Sequence, residues 1–410
     1  MKPRPFSLFT RFGVELEYAI VDARSLAVQP VADALIRREA GRQVSDVARG
    51  RLEWSNELAL HVIELKTGRP AVRLDGLAEL FQAEVRHVND RLLRLDSCLL
   101  PTAMHPWMDP ARESRLWPHD NHEIYATFDR IFGCHGHGWT NLQSVHLNLP
   151  FADDDEFVRL HTALRLVLPL LPALAASSPF VEGRRAPTLD TRLEVYRRNC
   201  SRVPSVTAGV IPEAIRSIAD YRQRILGRIQ RDIRELDPEE ILDPEWTNAR
   251  GVIARFCRNT LELRVLDVQE CPPADLAILG FVVEILRMLV AGTRSSTQAQ
   301  LRVPNAELED LFSRTIRSGR HARVSHRSTL RALGVRTAGS LTVRTLLRTL
   351  LDEAAPRAVW WRPAIELILQ EGSLAERIVR AAGPQPTRRR LQAVYRRLAD
   401  CLQQGTFFPG

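Results

Sequence analysis

The most informative pattern of this chain is Phe12-Gly13-Val14-Glu15-Leu16-Glu17-Tyr18-Ala19-Ile20, in which apolar and polar residues alternate. Successive side chains of a β-strand point to opposite faces of a sheet. Glu15 and Glu17 therefore share one face, and the apolar residues around them share the other. The pattern predicts a strand with one face in the core and two carboxylates on the opposite face.

The same alternation occurs twice more, as SVHLNL at 144–149 and TLELRV at 260–265. His146 and Asn148 share a face of the first stretch, and Glu262 and Arg264 share a face of the second. Carboxylates, an imidazole and a guanidinium on the open face of one sheet favour a site for a cation and phosphate over a solvated surface.

The composition is that of a soluble globular protein, with 410 residues of which 45% are hydrophobic and 26% charged. Strands and long helices are interleaved without regular βαβ units, which predicts an α+β fold around an antiparallel sheet flanked by helices. Beyond residue 292 the chain reads as helical, rich in leucine and arginine. We therefore expect a catalytic domain at 1–292 and a helical C-terminal region at 293–410.

The formal charge of +8 comes almost entirely from arginines, which are spread along the chain and form no long basic block. This pattern argues against nucleic acid as a partner. Six cysteines without a CxxC pair indicate free thiols in a reducing cytoplasm. The apolar run at 276–292 is short and interrupted by charges, so we expect a buried helix and no membrane span. The sequence leaves open whether the chain forms a homo-oligomer.

Glu15 and Glu17 are candidate metal ligands, with Cα atoms roughly 6.5–7 Å apart in a strand. Two carboxylates on a partly buried face repel each other, so one must be protonated or a cation must lie between them. Mg²⁺ prefers such oxygen ligands and often shares them with substrate phosphates. An edge strand with both glutamates in water is the alternative.

Glu64 is a third candidate, because it lies in a strand with apolar neighbours on both faces and a buried carboxylate needs a partner. The alternative is an ion pair with Lys66 or an arginine. Glu57 has the opposite parity to Glu64, so it reaches the site only from the preceding loop or across a bulge.

The histidines leave a choice open. His146 shares a clean alternating strand with Asn148, whereas His135 and His137 lie upstream in the glycine-rich stretch GCHGHG. Glycines let a backbone approach a phosphate closely, but this stretch matches no known phosphate-binding fingerprint. A hydrogen-bonded core histidine is the alternative, and the alternation favours His146 as the ligand.

Arginines supply candidate anion-binding groups. Glu262 and Arg264 read either as a salt bridge or as a metal ligand beside a guanidinium that holds phosphate or carboxylate. Arg192 and Arg197 lie in the stretch DTRLEVYRRN and, together with Asn148 and His137, are further candidates for binding phosphate or a substrate carboxylate.

Taken in order, the motifs resemble the bacterial glutamate–cysteine ligase family, in its carboxylate–amine ligase branch, over roughly residues 10–290. They are GVELEYAIVD at 13–22, NELALHVIELKTG at 56–68, PTAMHPW at 101–107, FGCHGHG at 132–138 with SVHLNLPF at 144–151, LAASSPFVEG at 174–183 with RLEVYRRN at 192–199, and TLELRVLDVQECP at 260–272. No single motif is specific, but six in this order make coincidence improbable. The C-terminal third shows no such resemblance.

The resemblance implies a glutamine-synthetase-like fold, in which an antiparallel sheet lines a funnel with Mg²⁺ and ATP at its base. By motif, the metal-binding roles of the family fall on Glu15, Glu17, Glu64, His146 and Glu262. The role of stabilising the transferring phosphoryl group falls on Arg264.

The implied activity is ATP- and Mg²⁺-dependent joining of a glutamate-like carboxylate to an amine, such as that of cysteine, through an acyl phosphate. Two alternatives remain. One is a phosphotransferase acting on a small guanidino or carboxyl substrate, and the other is a ligase-like protein that binds without catalysis. The sequence identifies neither the carboxylate nor the amine.

Overall fold

The computed structural model describes residues 5–337, 339–354 and 359–410. Its centre is an eight-stranded sheet in which every neighbouring pair is antiparallel. The strands of this sheet are β1 Gly13–Asp22, β2 Asp46–Arg49, β3 Leu52–Asn56, β4 Val62–Thr67, β5 Ser97–Leu100, β6 Ser144–Pro150, β9 Val252–Arg255 and β10 Thr260–Asp267. Their order is β2-β3-β4-β1-β6-β10-β9, and β5 pairs with the C-terminal half of β1. Two short ribbons are formed by β7 Phe180–Val181 with β8 Arg184–Arg185 and by β11 Arg323–Val324 with β12 Leu341–Thr342.

Helices surround the sheet. They are α1 Ala32–Ala40, α2 Leu77–Leu92, α3 Pro110–Glu113, α4 His122–Phe132, α5 His137–Thr140, α6 Asp154–Val167, α7 Pro172–Ala175, α8 Thr191–Tyr196, α9 Ile218–Tyr221, α10 Gly227–Ile233, α11 Pro244–Thr247, α12 Pro272–Val290, α13 Thr297–Leu301, α14 Asn305–Ser318, α15 Arg327–Ala332, α16 Val343–Ala354, α17 Arg362–Glu371, α18 Leu374–Ala382 and α19 Arg388–Gln404. The predicted α+β fold with a large antiparallel sheet and a helical C-terminal region is confirmed.

One face of the sheet is the wall of the main core. Val14 and Leu16 of β1 and Leu147 of β6 are fully buried there, together with apolar residues of α2, α6 and α12. Helix α12 contains the apolar run from residue 276 to Val290 and is almost entirely buried, as predicted. The alternating residues of β1, β6 and β10 therefore turn their polar side chains to the opposite, open face.

The C-terminal helices continue this core. Leu308 of α14, Leu347 of α16 and Ile365 of α17 belong to the same buried cluster as the sheet. Helices α18 and α19 pack with Val21 of β1 and Leu100 of β5 in a second cluster. A domain boundary near residue 292 stays a prediction, since the packing is continuous across it.

Among the residues that the structure describes, no helix is both long and apolar enough to cross a lipid bilayer.

Candidate active site

A cavity of about 500 Å³ lies over the open face of the sheet. Its walls contain polar side chains from β1, β3, β4, β6, β9 and β10. The polar residues that line it include Glu15, Glu17, Ser55, Glu57, Glu64, Lys66, Ser144, His146, Arg192, Arg255, Glu262 and Arg264. The three alternating stretches therefore meet in one place.

The strand register brings the charged residues together. Glu17 of β1 lies opposite Glu64 of β4, and Glu15 lies opposite His146 of β6. Directly opposed side chains of antiparallel strands have Cβ atoms about 4.5–5.5 Å apart. Three carboxylates and one imidazole are thereby held within reach of one another by backbone pairing alone.

Glu15, Glu64 and His146 form the first group that could hold a metal ion, with their ligand atoms all within 4.8 Å of one another. His146 Nδ1 lies 2.9 Å from Glu15 Oε2. The amide Nδ2 of Asn148 donates to Glu15 Oε1 at 3.0 Å. Asn148 thus orients a candidate ligand.

Glu17, Glu57 and Glu64 form a second such group, again within 4.8 Å of one another. Glu57 reaches it from the loop that follows β3, which is one of the two routes expected from its parity. Glu17 Oε2 accepts hydrogen bonds from the backbone amide of Ser144 at 2.7 Å and from its hydroxyl at 3.0 Å. The two groups share Glu64, which therefore lies at the centre of the acidic cluster.

The pKa values of these carboxyls reflect their burial and their mutual repulsion. Burial, reinforced by Glu15, raises the pKa of Glu64 to about 7, although Lys66 and Ser55 oppose the shift. Burial, with Glu17 and Glu64 nearby, raises the pKa of Glu57 well above its usual value. Burial opposes the shift, but the hydrogen bond to His146 and the charges of His146 and Lys66 together lower the pKa of Glu15. Protons or cations must therefore compensate this cluster.

Lys66 supplies part of the compensation. Its ammonium lies 3.1 Å from Glu64 and 3.4 Å from Glu53, and it donates to the Ser55 hydroxyl at 2.8 Å. The ion pair between Glu64 and Lys66, which the sequence offered as an alternative, thus coexists with the carboxylate cluster. Only one other lysine, Lys2, occurs in a chain that otherwise uses arginine. A lone lysine among so many arginines marks Lys66 as a candidate site residue, and the sequence analysis did not use this observation.

Glu262 contacts two guanidinium groups. Arg255 Nε donates to it at 2.9 Å across the β9–β10 hairpin, and Arg264 Nε lies 3.5 Å away. Burial raises the pKa of Glu262, but Arg255 and Arg264 together lower it to about 2. Glu262 is therefore an anion in this arrangement and fixes both arginines at the cavity wall. A metal-binding role for Glu262 stays a prediction.

Arg264 lies at a register shift between β10 and β6, where Leu263 pairs with Leu147 and Leu266 pairs with Val145. This bulge gives β10 one extra residue and re-aims the side chains next to it. Arg264 lines the cavity as predicted from the alternation. Arg255 was missed, because its place on the wall depends on recognising the hairpin of β9 with β10.

His146 is the histidine that the structure brings to the carboxylates. His137 lies 2.9 Å from the Asn141 amide and 3.5 Å from Glu182. His135 is half-exposed and lies 3.6 Å from Asp129. Neither His135 nor His137 lines the cavity, although the next residue, Gly138, does.

The two arginines of the stretch DTRLEVYRRN have different surroundings. Arg192 is buried, and its Nε contacts Asp267 at 2.5 Å, while its Nη2 has no hydrogen-bond partner among the described residues. Arg192 lines the cavity. Arg197 instead contacts Glu194 at 2.6 Å and the Ser313 hydroxyl at 3.0 Å, outside the cavity. Of these two arginines, Arg192 is therefore the one that a substrate anion in the cavity could reach.

Aromatic residues form the rest of the wall. Trp246, which is 53% exposed, lies under the Arg255 guanidinium at 4.0 Å. Tyr125, Phe128 and Trp139 line another part of the cavity. Sequence reasoning placed none of these residues in the site, since α4, α5 and α11 carry no alternation that relates them to the sheet.

The donor set suits a hard divalent cation. Mg²⁺ is bound through a few carboxylates, keeps several waters and shares substrate phosphates. The cluster of Glu15, Glu64 and His146 and the cluster of Glu17, Glu57 and Glu64 provide such ligands. Burial and the neighbouring carboxylates raise the pKa of Glu57 and of Glu64. No cysteine lines the cavity, so soft-metal chemistry is not indicated.

Comparison with known proteins agrees with this geometry. The sequence pattern of glutamate–cysteine ligase family 2 matches residues 11–397. The class of protein is therefore a carboxylate–amine ligase, as predicted. The chain belongs to glutamate–cysteine ligase family 2. The match extends through the C-terminal helices, so the resemblance limited to residues 10–290 was too short.

Individual relatives are more distant. An uncharacterized protein of Archaeoglobus fulgidus is 33% identical over 398 residues, covering 97% of this chain and 99% of that protein. The putative glutamate–cysteine ligase 2-2 of Frankia casuarinae is 25% identical over 84% of this chain, which spans only 35% of the Frankia protein. The structure of a glutamate–cysteine ligase from Francisella tularensis in complex with AMP has the same fold, with a TM-score of 0.57 at 14% identity, over 97% of this chain and 90% of that one.

Proposed function

We propose that this chain is an ATP- and Mg²⁺-dependent ligase that joins a glutamate-like carboxylate to the amine of an amino acid such as cysteine through an acyl phosphate. The observation that carries the proposal is the convergence of Glu15, Glu17, Glu57, Glu64 and His146 over one sheet face, with arginines on the adjoining wall. The relatives described as glutamate–cysteine ligases and the AMP-bound structural neighbour support the choice of substrates.

In this proposal Mg²⁺ would be held by the two clusters of residues that share Glu64, namely Glu15, Glu64 and His146, and Glu17, Glu57 and Glu64. The bound ion would neutralise phosphate oxygens, which is the main requirement of phosphoryl transfer. Arg264, fixed by Glu262, would face the transferring phosphoryl group. The free Nη2 of Arg192 would hold a substrate carboxylate or a phosphate oxygen.

The reaction needs no protein nucleophile. A carboxylate oxygen of the first substrate attacks the γ-phosphorus and ADP leaves, which gives an acyl phosphate. The amine of the second substrate then attacks the acyl carbon, phosphate leaves, and the amine loses a proton. The protein contributes position and charge compensation, which suits a cavity of carboxylates and arginines.

The test is mass spectrometry of purified protein with ATP, Mg²⁺ and pooled amino acids, with Glu64→Gln as the inactive control. The proposal expects ADP and a new product whose mass equals two amino acids less one water, which names both substrates. ADP with a phosphorylated small molecule, formed without an amine, would instead identify a phosphotransferase. Binding of ATP and Mg²⁺ without turnover of any pooled substrate would support a non-catalytic protein.

A further inference from the structure

A second and larger cavity lies among the C-terminal helices. It has a volume of about 920 Å³ and shares no lining residue with the carboxylate cavity. Four arginines line it, Arg294 before α13, Arg327 and Arg331 on α15, and Arg336 after α15. Serines 295 and 296 contribute hydroxyls, and Ala299, Leu330 and Val335 contribute apolar surface.

The arginines of this cavity have little compensation. Arg294 contacts Glu353 and donates to the carbonyl of Leu333 at 2.8 Å. The side chains of Arg327, Arg331 and Arg336 make no hydrogen bond or ion pair with any residue in the described ranges. Arg327, Arg331 and Arg336 are exposed to solvent at the rim of this cavity, so three guanidinium groups are available to an anion.

The spacing on α15 makes this arrangement unfavourable for the protein alone. Arg327 and Arg331 are four residues apart, so they lie on the same helix face, and like charges at this spacing destabilise a helix. Both line the cavity. A bound anion with several charges would relieve this repulsion, because guanidinium groups bind phosphate oxygens in pairs of hydrogen bonds.

The net charge of residues 293–410 also favours the binding of an anion. Residues 293–410 contain 20 arginines and 9 acidic residues, a net charge of +11, whereas residues 1–292 contain 37 basic and 40 acidic residues, a net charge of −3. The arginines are spread along the chain, but the acidic residues that balance them are not. The C-terminal region therefore attracts anions by itself.

We propose that this arginine-lined cavity is a second ligand site, which binds a small molecule carrying a di- or triphosphate group. Its short, concave form distinguishes it from the long basic face that nucleic acid requires. The apolar patch of Ala299, Leu330 and Val335 gives room for an uncharged part, such as a nucleoside, beside the phosphates.

The site is tested by isothermal titration of the full chain with inorganic tripolyphosphate, in EDTA so that the proposed magnesium site is not engaged. The variant is R327Q/R331Q, and the matched control is R344Q/R348Q. The control pair also lies four residues apart, on α16, and removes the same charge outside the cavity. We expect R327Q/R331Q to weaken binding at least about tenfold and R344Q/R348Q to change it less than about twofold.

Equal weakening in both variants, or no binding by the unaltered chain, would overturn the proposal. Tighter binding of ADP than of pyrophosphate, lost only in R327Q/R331Q, would identify a nucleotide, and equal binding would identify free polyphosphate. Both results support the shared phosphate chemistry. A single-stranded oligonucleotide that outcompetes tripolyphosphate at this site would overturn the small-molecule assignment. Arg327 and Arg331 lie outside the carboxylate cavity, so a failure of this test would leave the proposed ligase activity unaffected.

Discussion

Glu17 of β1 and Glu64 of β4 lie directly opposite each other in the antiparallel register. Both residues are largely buried, at 7% and 6% exposure. Opposed like charges on neighbouring strands destabilise a sheet. The opposed carboxylates are compatible with a stable sheet only if a cation or a proton lies between them.

Glu64→Gln should stabilise the metal-free protein and remove the stabilisation by Mg²⁺, because the amide ends the repulsion and is a poor ligand. We expect Mg²⁺ affinity to fall about 10- to 100-fold or more and ligase turnover to fall with it. Thermal unfolding with and without Mg²⁺ measures both effects on stability.

Glu53→Gln is the matched control. Glu53 also forms an ion pair with Lys66, at 3.4 Å, but belongs to neither of the two clusters that could hold a metal ion. Its substitution should leave the response to Mg²⁺ within about twofold. An equal loss of the response to Mg²⁺ in both variants would mean that Glu64 acts as the ion-pair partner of Lys66 and not as a metal ligand.

Stability should depend on pH in a direction set by Glu64. Burial raises the pKa of Glu64 to about 7, so the folded protein keeps a proton that the unfolded chain releases near pH 4.3. The contribution of Glu64 to the free energy of unfolding in EDTA should therefore fall as the pH rises from about 4.3 to 7, by up to about 1.4 kcal/mol per pH unit for one proton.

Mg²⁺ should reverse this trend, because it competes with that proton and binds more tightly as the pH rises through the same window. Urea denaturation across the range checks the sign, and Glu64→Gln should flatten the slope. A metal-free slope that is unchanged by the substitution would contradict the assignment.

Arg264→Gln should lower kcat by about 10²- to 10³-fold with a smaller effect on KM, since its charge is proposed to act on the transferring phosphoryl group. Arg197→Gln is the comparison, because Arg197 lies outside the cavity in contact with Glu194 and Ser313. Steady-state kinetics of both variants should separate them by at least about 50-fold in kcat. Comparable losses would show that Arg197 reaches the substrate after all.

Arg192→Met should be destabilising as well as inactivating. The guanidinium is buried against Asp267, and Asp190 is nearby, so its removal leaves buried carboxyls without a counter-charge. The expected loss is about 3–5 kcal/mol in the free energy of unfolding. Arg185→Met, at an exposed position of β8, should cost less than about 0.5 kcal/mol. A loss of activity with full stability would mean that Arg192 serves the substrate alone.

The sequence predicts those parts of the site that depend on local periodicity. The parity of Glu15, Glu17 and His146 follows from alternation within single strands, and the register then brings them together. Strand order and register depend on contacts far apart in the chain. For that reason the pairing of Glu262 with Arg255 and the position of Trp246 could not be predicted.

The position of Glu57 likewise could not be predicted from periodicity. Its parity relative to Glu64 excludes it from a regular strand, and only the path of the loop after β3 returns its carboxylate to Glu17 and Glu64. Loop paths are determined by tertiary packing, which a periodic pattern does not encode. The C-terminal helices were predicted as helices, but their place in the common core was not.

The most direct test of the proposed acyl phosphate is transfer of ¹⁸O. Once the carboxylate and amine are known, the carboxylate substrate is labelled with ¹⁸O and converted with ATP and Mg²⁺. We expect one labelled oxygen to appear in inorganic phosphate for each amide formed, because the attacking carboxylate oxygen leaves with the phosphoryl group. Phosphate without the label, released while amide accumulates, would contradict an acyl phosphate intermediate.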